Sequence, residues 1–341
     1  GLGDVYKRQI YHLVIFSKNK KITGYIKNFK SYYPVDYIKR LNFIKSNMNT
    51  RNYIYLFTSL WLCISCIKED IKPCPPLQIN IEVKDKNYFN INNIELEEHK
   101  GENLPFKEYI PTLHYTLYDF NTGNIVEQKN VFNVSGDEKT FQITFPENMP
   151  LGKYVFTVWG GLADETALKD DPEKATLHVG NKEGDDLYLS NDTLIYNVDN
   201  YHYTINMERT KGKLIVQLVN LPRAIVHSEN SIDSLFKRVD RYFNYSESTS
   251  VYKQSDWKTA SETVIKTMLA PSGKDQYSLL RLNFYATAQH DLPALTPKGI
   301  NIAMRRNELT VLKYVYDDSG DFRIYMLVND SWEQQHGLVI N

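Results

Sequence analysis

The sequence predicts an all-β protein of two tandem antiparallel β-sandwich domains. Leu77, Ile79, Ile81 and Val83 alternate with Gln78, Asn80, Glu82 and Lys84, the period-two pattern of a half-buried strand. Similar apolar runs recur roughly every ten to fifteen residues, separated by Gly, Pro, Asn and Asp. A helical period is almost absent, and that combination favours a sandwich.

In chain order, the first strand is followed by a polar stretch to about Pro111. Leu113, Tyr115 and Leu117 then alternate with His114, Thr116 and Tyr118. The turn from Asp119 to Asn124 leads into Ile125 to Val131, a hairpin by its turn chemistry. Phe141, Ile143 and Phe145 form a strand stopped by Pro146, and Leu151 to Gly161 forms another. Residues 162–200 read as loop-rich. Tyr201, Tyr203, Ile205 and Met207 alternate again, and a turn at Lys211-Gly212-Lys213 leads into the apolar run Leu214 to Leu221. The domain boundary falls near Glu208, giving an N-terminal sandwich over 77–208 and a C-terminal one over 209–341. The second half carries one expected helix, Ile232 to Tyr242, with Ser231 or Asp233 near its cap. Strands return at Thr263–Leu269, Tyr277–Ala286, Leu309–Tyr316 and Phe322–Val328, and Trp332 to Asn341 is expected to supply the last.

The region upstream is different. Residues 1–47 hold ten Lys or Arg against Asp4 and Asp36, and their Tyr, Ile, Asn, Lys and Phe content is that of translated AT-rich non-coding DNA. They are read as spurious upstream translation, with Met48 as the start. A basic nucleic-acid-binding arm is the alternative, and it fits poorly in front of an export signal. Arg51 precedes an apolar run, Tyr53 to Ile64, of about a dozen residues, which suits a secretory signal and falls short of the ~20 needed to span a bilayer. Small Ser65 and then Cys66 follow.

This order resembles a bacterial lipoprotein signal over 48–65, with Cys66 as the lipid-attachment residue. Cys63 stands where that pattern usually has Leu. Cys63 is an alternative attachment site, disfavoured by the large Leu62 before it. The plainer reading of the run is a buried strand or helix. Residues 66–76 form a lipidated tether, stiffened by Pro73, Pro75 and Pro76. Within it Lys68, Glu69 and Asp70 resemble the charged surface-export signal of some Gram-negative lipoproteins; a solvated linker is the simpler alternative.

Removing residues 1–65 takes away eleven basic and two acidic residues, leaving 29 basic against 39 acidic, a net of −10. That charge gives no electrostatic footprint for nucleic acid and no polybasic patch for anionic lipid, so membrane attachment would rest on acyl chains. Cys63, Cys66 and Cys74 are the only cysteines, too few for a disulfide scaffold or a thiolate metal site.

The lipoprotein cysteine with its charged tether, then Tyr118-Asp119 and Gly123 in a hairpin, then Gly152, Tyr154 and Trp159-Gly160-Gly161, resemble the FimB-like anchoring subunits of lipoprotein-derived (type V) fimbriae; Cys66 and Cys74 belong to the same pattern. The resemblance implies two transthyretin-like β-sandwiches. It also implies a structural role: an outer-membrane lipoprotein at the base of a fimbrium, holding it to the cell and limiting its length. The implied partners are fimbrial shaft subunits and, through acylated Cys66, outer-membrane lipid. The alternatives are a surface glycan-binding lipoprotein, suggested by the 25 tyrosines, and a polymerising shaft or tip subunit.

No catalytic constellation is expected, and no cofactor. The sequence lacks a Gly-x-Ser-x-Gly elbow, a phosphate loop and a His-Glu-x-x-His motif. His114, His178, His202 and His227 are read as cross-strand or surface residues. Asp185, Asp186, Asn191 and Asp192 lack calcium-loop spacing and read as a solvated acidic loop, so no metal site is expected.

Overall fold

Residues 75–258, 260–286, 292–317 and 319–335 are described by the computed structural model. The alternation at Leu77 forms β1 (Gln78–Val83). After a short helix, α1 (Phe106–Tyr109), come β2 (Thr112–Asp119), β3 (Ile125–Asn133), β4 (Phe141–Thr144), β5 (Gly152–Gly160), β6 (Lys174–Thr176), β7 (Tyr188–Tyr196) and β8 (His202–Arg209). Seven of these strands share one sheet in the order β3-β2-β5-β7-β8-β1-β4. Strands β7 and β8 pair only at Tyr188↔Arg209 and Leu189↔Glu208, so the sheet folds over at that corner into two layers. Leu77, Ile79 and Ile81 of one layer meet Leu113, Tyr115, Leu117 and Phe156 of the other in a single core. Aromatic rings join the layers: Phe145 packs edge-on against Tyr115 and Phe156, with centroids 6.1 and 6.2 Å apart.

The second half holds β9 (Gly212–Val219), β10 (His227–Asp240), β11 (Tyr245–Asp256), β12 (Glu262–Leu269), β13 (Ser278–Tyr285), β14 (Ile300–Ile302), β15 (Leu309–Tyr316), β16 (Phe322–Val328) and β17 (Ser331–Gln334). They form two sheets, β11-β10-β13-β14 and β12-β9-β15-β16-β17, around a second core that includes Leu214, Val216, Ile232, Leu282, Phe284 and Tyr314. The chain is thus nearly all β, as two successive sandwiches. Among the described residues two strand pairings are parallel, β1 with β8 and β9 with β15, and the others are antiparallel.

The expected helix over 232–242 is instead part of β10, which pairs with both β11 and β13. Ile232, Leu235, Phe236 and Val239 are spaced as on a helix face because a β-bulge interrupts the strand. The register shifts between Ile232 and Leu235, and Ser234 takes φ 63°. An extra residue at a bulge converts period two into an i, i+3 step. The region 162–200 contains β7, nine residues long and paired along its length with β5.

The two sandwiches exchange segments. The polar stretch after β1 crosses to the second sandwich, where Tyr88, Ile91 and Ile94 cover Ile215, Met268, Leu309 and Val311. Asn90 clamps this stretch: its side chain donates to the Leu309 carbonyl and accepts from the Leu309 N–H, both at 2.8 Å. In return, β6 adds to β10, with Ala175 opposite Val239. A third core, containing Trp159, Leu168, Leu177, Leu189 and Val239, fills the seam.

Candidate functional site

Cys66, Lys68, Glu69 and Asp70 lie outside the described residues, as do Cys63 and Cys74. What the structure does place is the strand immediately downstream. The Pro75 carbonyl accepts from the Tyr196 hydroxyl at 2.9 Å. The Leu77 carbonyl accepts from the Phe145 N–H at 2.9 Å, and the Gln78 N–H donates to the Tyr201 carbonyl at 2.7 Å. Strand β1 is then held on both edges, antiparallel by β4 and parallel by β8. Leu77, Ile79 and Ile81 are fully buried, each contributing about 1.5–3 kcal/mol of burial energy. Removing this strand would expose two unsatisfied sheet edges and open the first core.

Past Val83 the chain reaches the joint between the sandwiches, which is organised by Arg209. Asp85 Oδ2 accepts from the Arg209 backbone N–H at 2.7 Å. The Arg209 guanidinium is buried and donates from Nε to both Asp186 oxygens (2.9 and 3.1 Å), from Nη1 to Asn307 Oδ1 (2.8 Å) and from Nη2 to the Tyr188 hydroxyl. The rings of Tyr88 and Tyr188 lie 4.2 and 4.8 Å from its central carbon. Burial works against its charge, but the Asp186 carboxylate and its hydrogen bond, together with Tyr188 and Tyr88, outweigh burial and the guanidinium pKa is raised. Burial raises the Asp85 pKa, opposed by the Arg209 N–H and charge. One residue therefore ties together β1's outgoing loop, β7, β8 and the β14–β15 loop.

Lys211, two residues on, is fully buried and its Nζ has no hydrogen-bond partner. Burial pushes its pKa down to about 8, with Asp186 and Asp185 opposing. His178 is also buried. Its Nε2 accepts from the Ala270 N–H at 2.9 Å and its Nδ1 lies 3.0 Å from the Lys182 carbonyl, which fixes the neutral tautomer protonated at Nδ1. Burial, then the Lys211 charge, push its pKa down to about 3.

Other sequence-derived candidates are dispersed. Asp185 accepts from the Ala163 N–H, Asn191 accepts from the Thr157 hydroxyl and Asp186 serves Arg209. Among the described residues, no three His, Cys, Asp or Glu side chains are grouped to hold a metal ion. His202 lies across the strands beside Gln78 and Asn80, and His227 beside Asp256. His114 and His178 are both buried: His114 lies on β2 across from Trp159 of β5, as a cross-strand residue, whereas His178 lies just after β6, outside any strand.

The hairpin and Gly-rich motifs have local roles. Asp119 caps its turn by accepting from the N–H groups of Asn121 and Thr122. Tyr154 donates back to the Pro150 carbonyl at 2.5 Å. Trp159 is fully buried and donates from Nε1 to the Pro172 carbonyl at 3.1 Å. Gly161 takes φ +80°, and a Cβ there would lie 2.2 Å from the Asp186 carbonyl oxygen. The Trp-Gly-Gly run is thus a packing device that lets the 186–187 backbone close on β5.

No family model matches the chain, and no curated protein matches it. Solved structures do share the fold. A proposed adhesin of Bacteroides thetaiotaomicron aligns at TM-score 0.51 and 15% identity, over 78% of this chain and 99% of its own. A proposed adhesin of Bacteroides ovatus aligns at TM-score 0.52 and 13% identity, over 80% and 98%. A proposed polysaccharide-binding protein of B. thetaiotaomicron aligns at TM-score 0.50 and 13% identity, over 76% and 98%. At these identities the likeness is one of fold.

Proposed function

We propose that the protein is a non-enzymatic outer-membrane lipoprotein that anchors a fimbrium at the cell surface and limits its length. The observation that carries this reading is the seat of β1. The strand directly following the tether is buried between β4 and β8, so a lipid on Cys66 would be joined covalently to an interior element of the first sandwich. The sequence has no Arg between Arg51 and Arg209, so an Arg-specific protease has no site at which to release that strand from the tether. A base subunit needs this property, whereas a repeating subunit would have to yield its strand position to a neighbour by β-strand addition. The names given to the fold neighbours, adhesins and a polysaccharide-binding protein, fit a surface location.

On this reading residues 1–47 precede the true start, 48–65 are the signal, 66–76 the lipidated tether, and 77–208 and 209–341 the two domains, with shaft subunits as protein partners and acyl chains as the membrane contact. Two acyl chains or more are what make such anchoring stable. The test is N-terminal analysis and pull-down from purified fimbriae. An acylated terminus at Cys66, co-purifying with shaft subunits, is expected. A lipid-free terminus inside the first sandwich would identify a polymerising subunit instead.

A further inference from the structure

Strand β12 is the edge of its sheet and pairs on one side only, with β9. On its other side the Met268 N–H donates to Glu183 Oε1 at 2.6 Å, the Ala270 N–H donates to His178 Nε2 at 2.9 Å, and the Lys266 carbonyl accepts from Lys253 Nζ. Three side chains from neighbouring segments therefore close the C-terminal end of that edge. An antiparallel ladder alternates, so the even-numbered residues of β12 turn their N–H and C=O groups away from β9. Among the described residues nothing caps the N–H groups of Glu262, Val264 and Lys266 or the carbonyls of Glu262 and Val264. The window 262–266 is left open, and an open edge is a template for another strand.

The side chains of this window identify the strand that fits. Glu262, Val264 and Lys266 share the solvent face of the sheet, while Ile265 between them enters the second core. Val264 is 39% exposed. Among the described residues Glu262 has no ion-pair partner. Lys266 holds Glu97 at 2.9 Å, yet its side chain stays 42% exposed. Charges on an edge ordinarily keep a second strand away. Here their order has the opposite effect. In an antiparallel copy of the window centred on Val264, each Glu262 lies opposite the other copy's Lys266, and the two Val264 side chains lie opposite each other. Such hydrogen-bonded pairs stand about 5.5 Å apart, where opposite charges attract. Each Val264 exchanges both backbone bonds with its counterpart, and each Lys266 N–H meets the other copy's Glu262 carbonyl.

We propose that this edge is an interface between two copies of the chain, joined with two-fold symmetry through residues 262–266 of β12. Glu183, His178 and Lys253 set its limit, because they occupy the groups that a longer pairing would use. Strand β12 belongs to the second sandwich and β1 to the first, so the pairing leaves the seat of β1 intact and does not rest on the anchoring reading.

The test is sedimentation equilibrium of the full-length protein in density-matched detergent, over a concentration series. A reversible dimer is expected. Glu262→Lys and Lys266→Glu are each expected to weaken it by about tenfold, since each sets like charges opposite one another twice. An equimolar mixture of the two variants is expected to recover the dimer, because both cross-strand pairs are then complementary, and mixing does not repair a folding defect. Val264→Pro is expected to abolish the dimer while the chain stays folded, since the N–H that it removes points away from β9. Where Lys266→Glu does not fold for want of its Glu97 pair, Glu262→Lys and Val264→Pro decide the matter alone. Three outcomes overturn the proposal: a monomer at every concentration up to about 1 mM, a dimer that Glu262→Lys and Val264→Pro leave intact, or two folded charge variants that do not recover on mixing.

Discussion

The Arg209 backbone N–H donates to Asp85 Oδ2 across 2.7 Å, although the two residues are 124 positions apart in the chain. That bond joins the loop leaving the first strand to the residue at which the first sandwich hands over to the second. The Arg209 side chain then extends the joint to Asp186, Asn307 and Tyr188.

Arg209→Ala is expected to destabilise the protein by about 1–3 kcal/mol, because it removes the buried partner of Asn307 and Tyr188, while Asp186, partly exposed, turns to water. Arg209→Lys is expected to recover only part of that loss, since an ammonium cannot serve Asp186, Asn307 and Tyr188 together. Urea melts of the two variants against wild type check both statements.

Acid stability is expected to depend on His178. Its folded pKa is depressed to about 3 from 6.5, so between those values the unfolded chain holds a proton that the folded chain does not. Stability therefore falls with decreasing pH through that window, by up to about 1.4 kcal/mol per pH unit from this group. Urea midpoints from pH 7 to pH 4 read the slope, and His178→Gln is expected to flatten it.

Lys211→Met is expected to raise stability at pH 7 by about 1–3 kcal/mol, since it replaces a buried ammonium lacking hydrogen bonds by an apolar chain of similar length. The wild type carries a second signature. With its folded pKa at about 8 and its unfolded value at 10.5, Lys211 makes stability rise with pH between them. The variant lacks that rise, which melts at pH 8 and pH 9.5 would show.

Gly161→Ala is expected to cost about 2 kcal/mol or more, combining a left-handed backbone with a Cβ driven onto the Asp186 carbonyl. Ile79→Ala and Ile81→Ala are each expected to cost about 2–5 kcal/mol through cavities in the first core. A lowered Tm in all three checks the seats of β5 and β1. Wild-type melting in Gly161→Ala would mean that the 186–187 backbone does not close on β5 as described.

The strands were legible where apolar and polar residues alternate or where an apolar run borders a turn signal. The alternations at Leu77, Leu113 and Phe141, and the runs at Leu309 and Phe322 on either side of a turn, all correspond to strands. Strand β7 escaped because both faces of its first residues are buried, one against the core and one under the seam, so Tyr188, Leu189 and Ser190 show no alternation. Strand β11 escaped because its Ser-, Thr- and Glu-rich edge lacks the apolar signal, and β10 was misread through its bulge. The Arg209 joint had no local spacing to reveal it. Its acidic partners sit in a loop after β1 and just before β7, and only the folded chain brings them together. The buried state of His114 was hidden likewise, since a period-two pattern does not show that the other face of a sheet is covered.

The parallel pairing of β1 with β8 sets how this protein bears tension. A load applied through residues upstream of Pro75 enters at the start of β1, at Gln78↔His202, and reaches the second sandwich by two routes, along the loop leaving β1 that Asn90 clamps to Leu309 and, through the ladder, from the end of β8 beyond Val83↔Met207. Along the second route the two pulls act at opposite ends of parallel neighbours, so the strands are drawn past one another and every rung between them is strained at once. An antiparallel pair pulled from adjacent ends would peel one rung at a time. A strand order that looks like a detail of topology therefore makes the first sandwich a shear clamp for a load that enters upstream of Pro75.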